Sequence, residues 1–384
     1  MKALVRLILS VLLPFCVLLV HSCGFQGSDA LSGHVASHPI QLRYATRFSV
    51  DETDFGYLAK IYIEEGDKMD SVVYGLTRCD SSVLPEYAIR VSIPVRRVAT
   101  NSGTLFEFLR LLEAEDCLVA TCGSKYLYSK NLRDRLEQGT ISSLGSSFDI
   151  NAENLLAARP DVLFLSDLRD APSVSVCPNV YNLEWKECSG LARTEWIKFF
   201  ALFVDKLKMA DSLYDGISDR YALLKSRVDS MTTERPTLFA AGSFGDTWYM
   251  TGGKGYMASM YRDAGADFLL SDTLVSTVTC GTEWLLANCS EADFWMNSGT
   301  FRLSDIDERL RVMKAYRSGN VFHFEKRSRS SEGMNISDFY ESAVACPDVV
   351  LADLVSVIHP GLLPDYEPVY LGRCEATNNE RGTK

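Results

Sequence analysis

Apolar and polar positions alternate along residues 42–50, 57–64 and 71–77, with aromatic and β-branched side chains prominent, which predicts strands of an antiparallel ribbon ahead of the main fold. From Arg96 the period lengthens. Residues 97–99 read as a short strand, 100–103 as a turn, and 104–113 as a helix with Leu105, Phe108, Leu109 and Leu112 on one face. Residues 117–121 are the next strand. A helix over 153–158 is stopped by Pro160 and feeds an apolar strand at Val162–Leu165. Strand, loop and helix in alternation predict an α/β domain with a parallel sheet.

Residues 194–204 are an apolar-rich helix, and 206–231 follow with no proline and one glycine. Leu207, Leu213, Ile217, Tyr221, Leu224 and Val228 recur there at helical spacing. Such a helix would be about 39 Å long, enough to bridge two domains. After Pro236 the alternation restarts with a strand at 237–241. The halves also echo each other: Glu153 opens a short helix leading to Pro160-Asp161 and a strand, and Glu283 opens another leading to Ala292-Asp293 and a strand. A weaker third echo is Pro347-Asp348. The fold class expected is α/β, two Rossmann-like lobes joined by a single long helix, behind an N-terminal β extension. A duplicated lobe suits a clamshell that holds its ligand between the halves.

The N-terminus changes the picture. Lys2 and Arg6 precede an apolar stretch over 7–20 that is short for a membrane span and fits a secretory leader. It ends at Val20-His21-Ser22-Cys23, which resembles the bacterial lipobox, so Cys23 is the expected acylation site after cleavage. The expected division is leader 1–22, lipidated tether 23–40, β extension 41–92, first lobe 93–205, linking helix 206–231, second lobe 232–365 and tail 366–384.

The chain has 39 basic and 50 acidic residues, and two of the basic ones lie in the leader, so nucleic acid and an anionic membrane surface are poor candidates for the main partner. Of 11 cysteines, those outside the leader and lipobox are read mainly as small buried hydrophobes. Cys177 with Cys188 and Cys280 with Cys289 are close enough in sequence to close short loops. No Cys/His spacing indicates zinc. Neither a nucleophile elbow, a His-Glu-x-x-His pair nor a phosphate loop occurs, and Gly252-Gly253-Lys254-Gly255 lacks the Walker spacing; no catalysis and no cofactor are expected.

Several pieces fall in collinear order over residues 40–363. They are Arg43-Tyr44-Ala45 with Phe48, residues 95–99, Asn151-Ala152-Glu153, Arg159-Pro160-Asp161, Glu195-Trp196-Ile197, Arg235-Pro236-Thr237, Trp248-Tyr249, residues 263–267, Ala292-Asp293 and Pro347-Asp348. Together they make the chain similar to class III substrate-binding proteins of the cobalamin, ferric-siderophore and haem importers, in the version found in Bacteroidetes-type bacteria. That resemblance implies a monomeric, lipid-anchored, periplasmic receptor that binds an iron complex, haem or corrinoid and docks on an ABC permease dimer. It implies that Glu153 and Glu283, at matching helix starts, meet permease arginines. Acids at helix N-termini are favoured by the helix dipole.

For the ligand, the residues after the strands are the candidates: Asn101, Ser102, Tyr126 and Tyr128 in the first lobe, and Trp248 and Tyr249, within 246–250, in the second. Aromatic side chains offer wide contact with a polar tip. Arg327, in the basic stretch 326–329, is a candidate partner for ligand carboxylates. Haem would need an axial ligand, for which Tyr126, Tyr249, Met250, Met257 and His323 are available. The alternatives are a receptor for a bare divalent metal, and a haem- or corrinoid-binding surface lipoprotein without an importer. The low histidine count weighs against the first of these.

Overall fold

The computed structural model describes residues 37–65, 68–79, 84–231, 233–244, 247–270 and 274–375. The leader and Cys23 lie outside the described residues, as does Asp246.

Residues 37–92 form a five-stranded sheet of β1 (Ser37–Pro39), β2 (Phe48–Thr53), β3 (Gly56–Glu65), β4 (Lys68–Thr77) and β5 (Ile89–Ser92), antiparallel except for the parallel β4–β5 pair. The sheet therefore begins inside the span expected to be tether. Gly56 opens β3 with φ of 142°, and a Cβ there would stand 2.1 Å from the Leu76 carbonyl oxygen, so only glycine fits. Residues 42–47, expected as strand, are instead a loop. The Glu195 carboxylate accepts the backbone N–H groups of Arg43, Tyr44 and Ala45, and Glu187 accepts those of Thr46 and Arg47. Two carboxylates take the place of a partner strand.

The first lobe contains β6 (Val98–Thr100), α1 (Leu105–Leu111), β7 (Leu118–Thr121), α2 (Lys130–Glu137), β8 (Ser142–Ser143), a ribbon of β9 (Gly145–Ser146) and β10 (Asp149–Ile150), α3 (Ala152–Ala158), β11 (Val162–Leu165) and β12 (Asn179–Tyr181). Its main sheet is parallel, in the order β12-β11-β6-β7-β8. All of α4 (Gly190–Phe203) is buried. On one side Trp196 and Phe199 meet Phe48 at ring distances of 4.9 and 5.4 Å, and on the other Phe200 and Phe203 meet Phe164 of β11 at 5.6 and 5.1 Å. The N-terminal sheet is thus an added layer of this lobe and not an appendage.

The 25 residues of α5 (Leu207–Met231) span about 37 Å. Ala210 and Tyr214 join the first-lobe core, whereas Tyr221 and Val228 join that of the second. The second lobe is built from β13 (Thr237–Phe244), β14 (Thr247–Met250), α6 (Tyr256–Asp263), β15 (Asp267–Phe268), β16 (Val278–Cys280), α7 (Thr282–Cys289), β17 (Phe294–Met296), α8 (Lys314–Arg317), β18 (Phe322–His323), a hairpin of β19 (Ser328–Ser331) and β20 (Met334–Ser337), α9 (Pro347–Ile358) and β21 (Gly372–Arg373). Strand β13 is parallel to β15 and β17 and makes an antiparallel hairpin with β14, which pairs with β16. The echo read from the sequence is visible as α3 feeding β11 and α7 feeding β17. The second lobe also runs past residue 365: β21 pairs with β18, and the buried Asp353 carboxylate accepts the N–H groups of Val369, Tyr370 and Leu371.

The close cysteine spacings are not used. Cys177, Cys188, Cys280 and Cys289 are free thiols, and burial pushes the pKa of Cys289 up to about 12.

Candidate functional site

In a parallel sheet, ligands lie beyond the carboxyl ends of the strands. At that end of the first lobe a hollow of about 620 Å³ is lined by Phe148, Ser166, Asp167, Arg169, Asp170 and Trp185. Phe148, between β9 and β10, is 90% exposed; Trp185, after β12, is 43% exposed with its indole N–H donated to the Ser166 carbonyl at 2.8 Å. Asp167 accepts the Arg169 backbone N–H and two guanidinium N–H groups, each at 2.9 Å. That guanidinium holds the Asp167 carboxyl down to about 2.

The second lobe has a counterpart of about 480 Å³, lined among others by Ser243, Trp248, Thr282, Thr300, Asp307 and Arg309. Here Asp307 accepts the Arg309 backbone N–H at 2.9 Å and its guanidinium at 3.1 Å. The same Asp-x-Arg clasp therefore follows the equivalent strands, β11 and β17. Trp248 is 5% exposed, donates its indole N–H to Thr282 Oγ1 at 3.1 Å and packs against Trp295 at 5.6 Å.

Where the lobes touch, a cavity of about 110 Å³ is lined by Thr104 and Arg193 from the first and Tyr256, Met257, Phe339 and Tyr340 from the second. Glu184 ties its wall together, accepting Arg193 Nε at 2.6 Å and the Thr104 hydroxyl at 2.8 Å. The Arg193 guanidinium sits 4.1 Å from the Tyr256 ring centre. Gly190 makes the tight approach: a Cβ there would lie 3.0 Å from both Met260 Sδ and Pro347 Cβ.

The sequence candidates separate into two groups. Asn101 and Ser102 are buried braces. Asn101 donates to the Ser147 carbonyl and Asp170 while accepting from the Ser166 N–H, and the Ser102 hydroxyl bonds Thr104 and Asn182. They shape the hollow from beneath. Tyr128 is half-buried under Arg327, whose guanidinium also lies over Tyr370 and pairs with Asp338 at 2.9 Å, so its charge is already matched. Tyr126 is exposed. Neighbouring strand residues point to opposite faces, so Trp248, which lines the hollow, and the exposed Tyr249 do not face it together. Met250 is buried in the core. The His323 Nδ1 is occupied by the Glu325 N–H at 3.1 Å. Glu153 and Glu283 are exposed in the first turns of α3 and α7. Among the described residues no group of three or more His, Cys, Asp or Glu side chains is arranged to hold a metal ion.

Phe148, Arg169, Trp185 and Arg309 were not reached from the sequence. The usable signal was position: applying the strand-end rule to β11 and β12 as well as to the first two strands leads to residues 166–170 and 182–185.

These features define a two-lobed solute-binding protein. The periplasmic binding protein family matches residues 98–327, and the chain belongs to that family; its members bind solutes, and the protein is not an enzyme. The match starts at β6, so the N-terminal sheet lies before it. An uncharacterised lipoprotein of Methanocaldococcus jannaschii is 23% identical over 70% of this chain, and the alignment spans only 66% of that relative's length. A periplasmic binding protein from Veillonella parvula superposes with a TM-score of 0.56 at 14% identity, covering 79% of this chain and 99% of that one. A periplasmic haem-binding protein from Pseudomonas aeruginosa does so with a TM-score of 0.53 at 16% identity, covering 73% and 98%. Likeness at this level of identity establishes the fold.

Proposed function

We propose that the protein is the substrate-binding component of an ABC importer, capturing an iron complex, ferric siderophore or haem, or cobalamin between its lobes. The observation that carries this reading is the pair of strand-end hollows, one on each lobe, while the cavity of about 110 Å³ where the lobes touch is too small to hold such a ligand by itself. A large planar or amphipathic ligand would lie across Phe148, Trp185 and Tyr126 in the first lobe and meet the Trp248 side of the second. Glu153 and Glu283 would dock on the permease, and acylated Cys23 would hold the receptor at the membrane in the periplasm as a monomer. The Pseudomonas protein of the same fold binds haem, which supports the ligand class.

The test is a titration of residues 24–384, which contain the compact unit of residues 37–384, with haemin, cyanocobalamin and several ferric siderophores. Tryptophan quenching and ligand absorption are followed together. Saturable binding of one of them, weakened by Trp185→Ala, is expected. No binding below about 10 μM, roughly −7 kcal/mol, would remove the ligand class.

A further inference from the structure

The loop of residues 123–129 follows β7 and carries Tyr126 on its exposed side. A Cβ on Gly123 would lie 3.6 Å from Tyr126 Cδ2 and 3.7 Å from Ser147 Oγ, so the ring borders the turn that bears Phe148. Its own lobe holds this loop through the Gly123 N–H on the Gly145 carbonyl at 2.8 Å, the Ser129 cap of α2, and Arg133 on the carbonyls of Leu127 and Tyr128.

The second lobe holds it equally firmly. The Glu341 carboxylate accepts the Tyr128 N–H at 2.7 Å and the Ser129 N–H at 3.0 Å. Arg329, on β19, donates to the Leu127 carbonyl at 2.7 Å and the Lys125 carbonyl at 3.0 Å. Four backbone groups of one short loop are therefore claimed by the opposite lobe. Bonds with one ionised partner are roughly twice as strong as neutral ones. The Glu341 carboxyl is half-buried, and that burial raises its pKa to about 6 against the two N–H groups, with Asp338 and Glu107 as like charges and Arg329 beside it.

We propose that Glu341 and Arg329 are positioning residues for ligand binding: they set the Tyr126 loop from the opposite lobe, so the loop moves with the second lobe although the chain places it in the first. This rests on the binding role proposed above. A ligand touching Tyr126 then senses both lobes through one residue. Opening the lobes must break the four bonds, pull the loop off the first-lobe rim, or draw Val344 and Ala345, which follow Glu341, out of the first-lobe core, where the Thr194 hydroxyl donates to the Val344 carbonyl at 2.8 Å.

Hydrogen exchange on the full chain without ligand tests the placement. Glu341→Ala is expected to speed exchange of the Tyr128 and Ser129 amides about tenfold, the effect of losing one such bond, while the β6 and β11 amides hold. Glu341→Gln keeps one carbonyl acceptor but turns an NH2 toward the other N–H, so it is expected to restore protection at only one of the two amides. Arg329→Ala attacks the same loop from its other two bonds and serves if Glu341→Ala folds poorly. Unchanged exchange in both variants overturns the proposal. Haemin, followed by its visible absorption, tests the consequence: it should bind Glu341→Ala several-fold more weakly, and Tyr126→Ala should abolish that difference. Faster exchange with unaltered haemin affinity overturns the positioning role. If the unaltered chain ignores haemin, the choice of haem falls separately, and exchange alone decides whether the second lobe holds the loop.

Discussion

Glu195 Oε2 accepts the backbone N–H of Tyr44 at 2.8 Å, joining residues 151 positions apart in the chain. With Arg43 and Ala45 also donating to the same fully buried carboxylate, one side chain of α4 fixes the approach to β2. Glu195→Ala leaves three N–H groups without an acceptor. A loss of about 3 kcal/mol or more is expected, read as a lower urea midpoint and faster proteolysis at residues 42–47. An unchanged midpoint would show that the loop is held by other means.

The buried Arg193–Glu184 pair sits on the floor between the lobes. Arg193→Met alone strands the Glu184 charge and should cost about 3–5 kcal/mol. Combining it with Glu184→Gln should recover much of that loss. Equal destabilisation by the single and double variants, measured by urea unfolding, would mean that the pair carries no charge penalty.

Transport and binding should separate at the lobe tips. Glu153→Ala with Glu283→Ala is expected to abolish uptake through the reconstituted importer and leave ligand affinity as it was. Unimpaired uptake would remove the docking assignment.

His323 makes stability depend on pH. It is 6% exposed, and burial lowers its pKa to about 4 from 6.5. The unfolded chain therefore takes up this proton first on acidification. The contribution is complete above about pH 6.5 and is lost as the pH falls toward about 4, by up to about 3 kcal/mol. His323→Gln should flatten that part of the profile of unfolding free energy against pH. A variant with the same slope would assign the dependence elsewhere.

Much of the fold was legible because it is written in local periodicity. The α5 stripe, the strand at Val162–Leu165 and the paired Glu153 and Glu283 helices emerge nearly as read. The loop at 42–47 was not, since its alternation resembles a strand and its true partners, Glu187 and Glu195, are distant in sequence. The second lobe's extent beyond residue 365 was hidden for the same reason: β21 is two residues long and depends on β18. At the site, exposed aromatics such as Phe148 have no local signature, and the buried bonds of Asn101 and Arg327 appear only once several loops converge.

The layer that covers α4 sets an order of events during synthesis. Strands β2 to β4 leave the ribosome before residues 190–203 exist, so the apolar face carrying Phe48, Ile61 and Tyr74 has nothing of its own chain to cover it at first. A nascent sheet with a bare face and open edges invites pairing with other chains. Truncation after β12 should therefore yield aggregates and not a smaller folded protein, because the helix that closes the first lobe is also the one that shelters its beginning.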